Sequence, residues 1–369
     1  MSNGRVQSLP LWFAACGLAL WAGGAAADER ADWPDEVRLG TASLGGTYQI
    51  YGDGLTARIT EELGVRGISQ ATGGPYHNMT LVHTGEAELG LVTLGPAKEL
   101  WDGDAEFARG EQMRDVRALF PMYRTPFHIV ALADSGIETV DDLSGRRVGV
   151  GPMGGTCATY WERFFDALGV EDVRLQYAGA SRLADYLTSR LSDAFAFCAG
   201  LPISAFARLD EFHEVRMFAF SEEQQATLVD AFPVEPFEIP ADTYPSMEAP
   251  QASVALWNFA IGHKDLPESF VYELMTLVLD HPEAMEAIHP AAVETRAKHQ
   301  DKNDVLWFHP GAVRYYREQG LEVADAMLPP EMRTQTADEQ DEATSESDAA
   351  SEETEDTGDA EAAEPADEG

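Results

Sequence analysis

Short apolar runs alternate with longer segments of helical periodicity from about residue 35 to about residue 330. Each run is rich in Val, Leu, Ala or Phe and is bounded by glycine or polar residues, which is the pattern of a buried strand. The predicted strands are Val37–Ala42, Val65–Ala71, Glu88–Leu94, Val116–Met122, Phe127–Ala133, Arg147–Gly151, Val173–Tyr177, Ala194–Cys198 and Ser253–Ile261. The predicted helices are a segment that follows a glycine turn and runs through Leu63, Pro75–Thr84, Thr156–Leu168 and a segment after Pro267. This alternation predicts an α/β fold with mainly parallel sheets covered on both faces, and about 300 residues exceed one comfortable core, so we expect two lobes.

A seven-residue repeat occurs at two strand-to-helix turns. Gly45–Tyr51 and Gly154–Tyr160 both have the pattern Gly-Gly-Thr-x-x-x-Tyr, and they begin 109 residues apart (154 − 45). Each copy follows a short strand and opens a helix, so we expect one copy in each lobe at the carboxyl end of a strand. Open α/β sheets bind their ligands at that edge.

The chemistry of this turn suits an anion. Paired glycines let a ligand approach the backbone closely, and the first N–H groups of a helix have no partner within the helix. Those N–H groups and the helix dipole attract negative charge. The alternative is an ordinary turn in which the threonine only caps the helix; finding two copies favours a ligand site between the lobes.

The chain is strongly acidic. It carries 64 Asp and Glu against 25 Lys and Arg, a formal charge of −39. This excludes a nucleic-acid binder that neutralises phosphates and a polybasic membrane anchor. Fifteen of the acidic residues lie in the Lys- and Arg-free segment from Thr334 to Gly369. We expect residues 331–369 to form a disordered acidic tail, with an acidic interaction arm as the alternative.

Residues 1–27 have the organisation of a secretory signal. Arg5 precedes an apolar stretch from Leu9 to Ala22, and Ala25, Ala26 and Ala27 supply small residues before a cleavage site. A cleaved signal predicts an exported, periplasmic protein; an uncleaved anchor is the alternative.

Removal of the signal leaves two cysteines, Cys157 and Cys198. They either pair as a disulfide in an oxidising compartment or lie apart as small buried residues. Cys157 at a helix start would also suit a lowered thiol pKa, but no His stands in a recognisable catalytic motif. The chain lacks a Walker phosphate loop, the dinucleotide glycine spacing and the zinc motif His-Glu-x-x-His. The sequence therefore predicts no cofactor, no metal site and no enzymatic role.

Several motifs in a fixed order resemble the TAXI branch of the extracytoplasmic solute receptors of tripartite ATP-independent periplasmic (TRAP) transporters. They span about Val37 to Leu321 and leave out the acidic tail. The motifs are Leu39–Tyr48, Gln70–Gly74, Asn78, Gly85–Gly90, Val148–Gly151, Gly154–Thr156, Asp193–Phe197 and His309–Tyr316.

The resemblance implies a type II periplasmic binding fold with a hinge and an interlobe cleft. Lobe one would comprise residues 35–125 and 251–330, and lobe two residues 126–250, with crossings near Arg124–Pro126 and Tyr244-Pro245. It also implies closure of the lobes over a small organic carboxylate, such as glutamate, glutamine or a dicarboxylate, for delivery to the transporter's membrane subunits. We expect a monomer that binds no nucleic acid. An exported α/β enzyme and a ligand-sensing protein that use the same cleft are the alternatives.

The candidate ligand-binding residues lie in these motifs and at the first crossing. They are Ser43, Gly45, Gly46, Thr47, Tyr48, Asn78, Thr93, Tyr123, Arg124, Gly154, Gly155 and Thr156. Arg124 is the cation chosen for a second carboxylate, with a structural salt bridge as its alternative. For Tyr48 the alternative is core packing, and for Asn78 it is a surface or capping position. His309 is interpreted as a packing or capping residue.

Overall fold

The computed structural model describes residues 30–333. The predicted signal segment and the acidic tail from Thr334 onward lie outside the described residues.

Within residues 30–333, ten strands alternate with ten α-helices. The strands are β1 (Glu36–Gly40), β2 (Arg66–Gln70), β3 (Leu89–Thr93), β4 (Val116–Leu132), β5 (Arg147–Gly151), β6 (Arg174–Tyr177), β7 (Ala194–Cys198), β8 (Val215–Phe218), β9 (Glu235–Ile239) and β10 (Gln251–His263). The helices are α1 (Thr47–Arg58), α2 (Pro75–His83), α3 (Leu94–Asp102), α4 (Thr156–Leu168), α5 (Ala180–Thr188), α6 (Ser204–Phe212), α7 (Glu222–Ala231), α8 (Glu268–Leu279), α9 (Pro282–Ile288) and α10 (Pro310–Glu318). A π-helical turn, Ile59–Leu63, extends α1 to the predicted end. None of the described helices is long and apolar enough to cross a membrane.

The sheet order is β2-β1-β3-β10-β4-β7-β5-β6, with β8 on β4 and β9 on β10. Parallel pairings join β1 to β2 and β3, and β5 to β6 and β7. Every antiparallel pairing in residues 30–333 involves β4 or β10. The α/β prediction is confirmed, but the sheets are mixed, because the two long strands run against their neighbours.

Two separate cores define two lobes. One cluster contains the buried apolar side chains up to Tyr123 and those from Trp257 onward. The other extends from Phe127 to Leu256 and includes the aromatic side of α4. The strands β4 and β10 pair along the crossing and carry the chain between the lobes. Pro121 and Pro126 do not divide β4, which is continuous where two strands were predicted.

The composition of the cores bears on where the chain returns to lobe one. Val254 and Leu256 belong to the second core, and Tyr244 lies fully buried within it. We therefore propose boundaries at 124–126 and at 256/257 in place of 250/251.

Residues 331–333, at the start of the predicted tail, are described and contact lobe one. Glu331 pairs with Arg117, whose side chain is almost fully buried, and Met332 packs against the first core. A buried guanidinium requires a carboxylate partner, which holds this end of the chain to lobe one.

Candidate functional site

The two Gly-Gly-Thr turns have the same conformation. Gly45 and Gly154 adopt positive φ values of 85° and 77°, a left-handed region in which a side chain would be strained. Gly46 and Gly155 follow in extended conformation, and α1 and α4 begin at the next residue. Neither helix has a side-chain N-cap among the described residues. The first N–H groups of both helices are thus left for another partner.

A small cavity of about 50 Å³ lies between the lobes, where these helices begin. Residues of both lobes and of the first crossing line it. They are Ala42, Ser43, Gly46, Thr47, Tyr48, Gly73, Gly74, Pro75, Thr93, Thr125, Pro152, Gly155, Thr156, Cys157, Phe197, Cys198 and Ala199. One cavity therefore joins both copies of the repeat.

The two repeat threonines connect the lobes and do not cap their helices. Thr47 in lobe one donates its hydroxyl proton to the Gly200 carbonyl of lobe two (2.7 Å). Thr156 in lobe two donates to the Thr93 hydroxyl of lobe one (3.0 Å). Both threonines are buried, and the alternative interpretation of each as a pure helix cap is wrong. The described arrangement of the lobes is therefore a closed one.

A buried amide organises the floor of the site. Asn258 on β10 accepts hydrogen bonds at Oδ1 from the hydroxyls of Tyr48 (2.6 Å) and Thr93 (2.9 Å). Its Nδ2 donates to the Tyr123 carbonyl (2.6 Å) and to Thr125 Oγ1 (2.6 Å). Burial raises the pKa of Tyr48 far above its ordinary value, so the phenol keeps its proton. Hydroxyls from both lobes and from β4 thus form one network with the Asn258 amide of β10.

The closed lobes also meet beside the cavity. Arg163 on α4 contacts Glu99 on α3, and the Tyr76 hydroxyl donates to the same carboxylate (2.6 Å). Near this ion pair, a methyl group on Gly95 of lobe one would lie 2.0 Å from the Tyr160 hydroxyl oxygen of lobe two. Closure therefore depends on a glycine at position 95.

Seven of the predicted site residues line the cavity: Ser43, Gly46, Thr47, Tyr48, Thr93, Gly155 and Thr156. The other five do not line it: Gly45, Asn78, Tyr123, Arg124 and Gly154. Asn78 donates to the carbonyls of Thr41 and Leu91 (2.7 Å each) and so links the ends of β1 and β3. The Tyr123 ring packs edge-on against the ring of Tyr51. These side chains support the cavity from behind.

Arg124 has a structural partner, which was its alternative interpretation. Its Nε donates to Glu294 Oε1 (2.8 Å), and its backbone N–H donates to Oε2 of the same carboxylate (2.8 Å). The guanidinium also lies over the rings of Phe237 and Trp257. In this arrangement its charge is neutralised at the crossing, away from the cavity.

The two cysteines form a disulfide that lines the cavity. It ties the first turn of α4 to the end of β7, with a Cα–Cα distance of 5.4 Å. This settles the pairing that the sequence left open. It also removes Cys157 as a free thiol nucleophile.

Some cavity residues were not among the predicted site residues. Thr125 and Phe197 line it, and Asn258 holds its hydroxyls. Asn258 carried a sequence signal, since it is a lone amide within the apolar run Ser253–Ile261. A buried polar group requires partners, so its position in a central strand pointed to a network.

Two α/β lobes joined by two crossing strands, with a small cavity between helix N-termini, have the architecture of the two-lobe periplasmic binding protein fold. The chain belongs to the NMT1-like family, whose model matches residues 39–320.

Among solved structures, the chain is similar to a periplasmic transporter, with 15% identity, a TM-score of 0.47, and 70% of this chain and 85% of that chain covered. It is similar to the substrate-binding protein of an amino acid ABC transporter, with 14% identity, a TM-score of 0.42, and 69% and 96% covered. It is also similar to the GluR0 ligand-binding core from Nostoc punctiforme in complex with L-glutamate, with 14% identity, a TM-score of 0.42, and 69% and 97% covered.

Proposed function

We propose that the protein is the periplasmic solute receptor of a TRAP transporter of the TAXI type, which captures a small organic carboxylate by hinge closure. One observation carries this proposal: two uncapped helix N-termini, one from each lobe, meet at a single interlobe cavity. The ordered TAXI-like motifs support the transporter type, and the signal-like residues 1–27 support export.

The electrostatics of the site favour a carboxylate over a cation. Each helix N-terminus presents unpaired N–H groups and the positive end of the helix dipole. The net charge of −39 belongs to the whole chain, whereas none of the described residues that line the cavity is Asp or Glu. An anion therefore meets a local field opposite in sign to that of the surface.

Closure follows from the interlobe bonds. Thr47 and Thr156 each donate a hydroxyl hydrogen bond across the cleft. Arg163 forms an ion pair with Glu99 beside the cleft. A ligand that contacts both helix N-termini binds the closed form better than the open one, so it shifts the population toward closure. The closed form is then the one offered to the membrane subunits.

The experiment is a thermal-shift screen of the purified protein against amino acids, 2-oxo acids and dicarboxylates. A ligand at 100 times its dissociation constant adds about 2.7 kcal/mol of stability. Small-angle X-ray scattering then tests whether the same ligand compacts the two lobes. The receptor role is refuted if no small carboxylate both stabilises and compacts the protein.

The Gly95→Ala variant tests closure of the lobes independently of the stability of the fold. The added methyl group meets Tyr160 only when the lobes close, and alanine in a helix is about 1 kcal/mol more favourable than glycine. The ligand-free variant should unfold no more easily than the wild type but should lose the ligand-induced compaction. Adding Tyr160→Phe removes the nearest atom and should restore part of the response. Compaction by ligand in Gly95→Ala alone would contradict the closure mechanism.

A further inference from the structure

The described side chains that line the cavity carry no formal charge. Tyr48 is the one titratable group among the described lining residues outside the disulfide, and its phenol stays protonated. The two cations considered near the site have carboxylate partners: Arg124 binds Glu294, and Arg163 binds Glu99. Neither arginine lines this cavity, although Arg163 and Glu99 line a larger cavity that adjoins it at Gly73.

This lining discriminates by ligand charge. A buried ammonium group without a carboxylate partner, or a second carboxylate without a cation, loses its hydration and gains no partner of opposite charge. An uncompensated buried charge of this kind weakens binding by roughly 100-fold or more. The site therefore selects against a zwitterionic amino acid and against a dicarboxylate.

The hydroxyl groups of the lining also select among ligands by their hydrogen-bonding capacity. Four hydroxyls already donate hydrogen bonds to protein atoms: those of Thr47, Tyr48, Thr93 and Thr156. Thr125 is 3% exposed and accepts from Asn258, and within residues 30–333 its own proton has no described acceptor.

Ser43 resembles Thr125 in this respect. It accepts from the Ala180 N–H (3.3 Å), and its proton also has no acceptor among the described bonds. Together with the helix N–H groups, these hydroxyls make a donor-rich cavity. Such a cavity suits a ligand whose polar atoms all accept hydrogen bonds.

Resting on the proposed receptor function, we infer that the solute is a short aliphatic 2-oxo monocarboxylate. Its carboxylate and keto oxygens match the donors. Its alkyl chain matches the apolar wall formed by Pro75, Pro152, Phe197 and the disulfide. The uncharged lining therefore disfavours both ligand classes expected from the sequence, the glutamate-like amino acids and the dicarboxylates.

The test uses three five-carbon acids that differ in one feature: 2-oxopentanoate, L-norvaline and 2-oxoglutarate. Titration calorimetry should show 2-oxopentanoate binding at least about 100-fold more tightly than the other two. The neutral 2-oxopentanamide should lose binding because it lacks the carboxylate. Equal or tighter binding of norvaline or 2-oxoglutarate overturns the inference.

The outcomes also distinguish this inference from the receptor role. If an amino acid or dicarboxylate binds and compacts the lobes, the receptor role stands and the 2-oxo assignment fails. If no acid compacts the lobes, both fail.

Two variants test the donors. Ser43→Ala and Thr125→Val should each weaken 2-oxopentanoate binding about 2- to 10-fold. The matched control is Thr227→Val on α7, whose exposed hydroxyl donates only within its helix, to the Glu223 carbonyl. Equal affinity in Ser43→Ala, Thr125→Val and the control would refute the donor assignment.

Discussion

Removal of the disulfide between Cys157 and Cys198 should lower the free energy of unfolding by an amount that can be worked out from the length of the loop it closes. It joins the start of α4 to the end of β7, so it closes a loop within lobe two. Replacing both cysteines by alanine removes this constraint from the unfolded chain. Both side chains are buried, and alanine is smaller than cysteine, so the substitutions introduce no steric overlap.

The loop length sets the expected magnitude. With a sequence separation of 41 residues, the chain-entropy relation gives a loss of about 4 kcal/mol in the free energy of unfolding. At about 2–4 °C per kcal/mol for a unit of this size, the melting temperature of lobe two should fall by roughly 10 °C.

Urea denaturation of Cys157→Ala/Cys198→Ala and wild type, each with and without a reducing agent, measures this effect. The chain should begin at Asp28, the expected start of the exported protein, so that Cys16 is absent. Reduction should destabilise the wild type by about the same amount as the double substitution, and it should leave the variant unchanged. The reasoning is refuted if reduction costs the wild type under about 1 kcal/mol, or if the variant responds equally.

Three further predictions concern ligand binding in the cleft, packing in the core of lobe two and stability at acidic pH. Thr156→Val should weaken binding of the ligand that compacts the lobes about 2- to 10-fold in calorimetry, because the Thr93 contact forms across the cleft; unchanged affinity contradicts this. Phe164→Ala empties a fully buried site in lobe two and should cost about 3–5 kcal/mol in urea denaturation, whereas a loss under about 1 kcal/mol would show that the site collapses freely. Burial lowers the pKa of His309 from 6.5 to about 4, so its contribution to stability is full above pH 6.5 and is lost as pH falls through 4. His309→Gln should flatten that part of the pH–stability curve; an identical slope would exclude His309 as its source.

Local patterns predicted the elements well. The bounds of α4, β5 and β7 match the prediction, because a helical stripe and short apolar runs record burial directly in the sequence. His309 is the N-cap of α10, accepting from the Gly311 N–H, as its position before Pro310 suggested.

The crossing strands were harder to predict. The apolar pattern predicted two strands, Val116–Met122 and Phe127–Ala133, where the structure has the single strand β4. Its continuity depends on pairing with β10. The return to lobe one, predicted at 250/251, has no local signal in the sequence, because a strand shared by two cores shows no change of pattern at the boundary.

The sequence by itself determined the α/β alternation, the two glycine turns and their conformational demand, since these depend on neighbouring residues. Only the tertiary structure decided what the turns do. The acceptor of Thr47 lies 153 residues away, and the carboxylate that neutralises Arg124 lies 170 residues away. Such pairs follow from strand order and lobe closure, which bring distant groups to one edge of the sheets. Local patterns predicted where a ligand site would form; long-range pairing left its lining without charge.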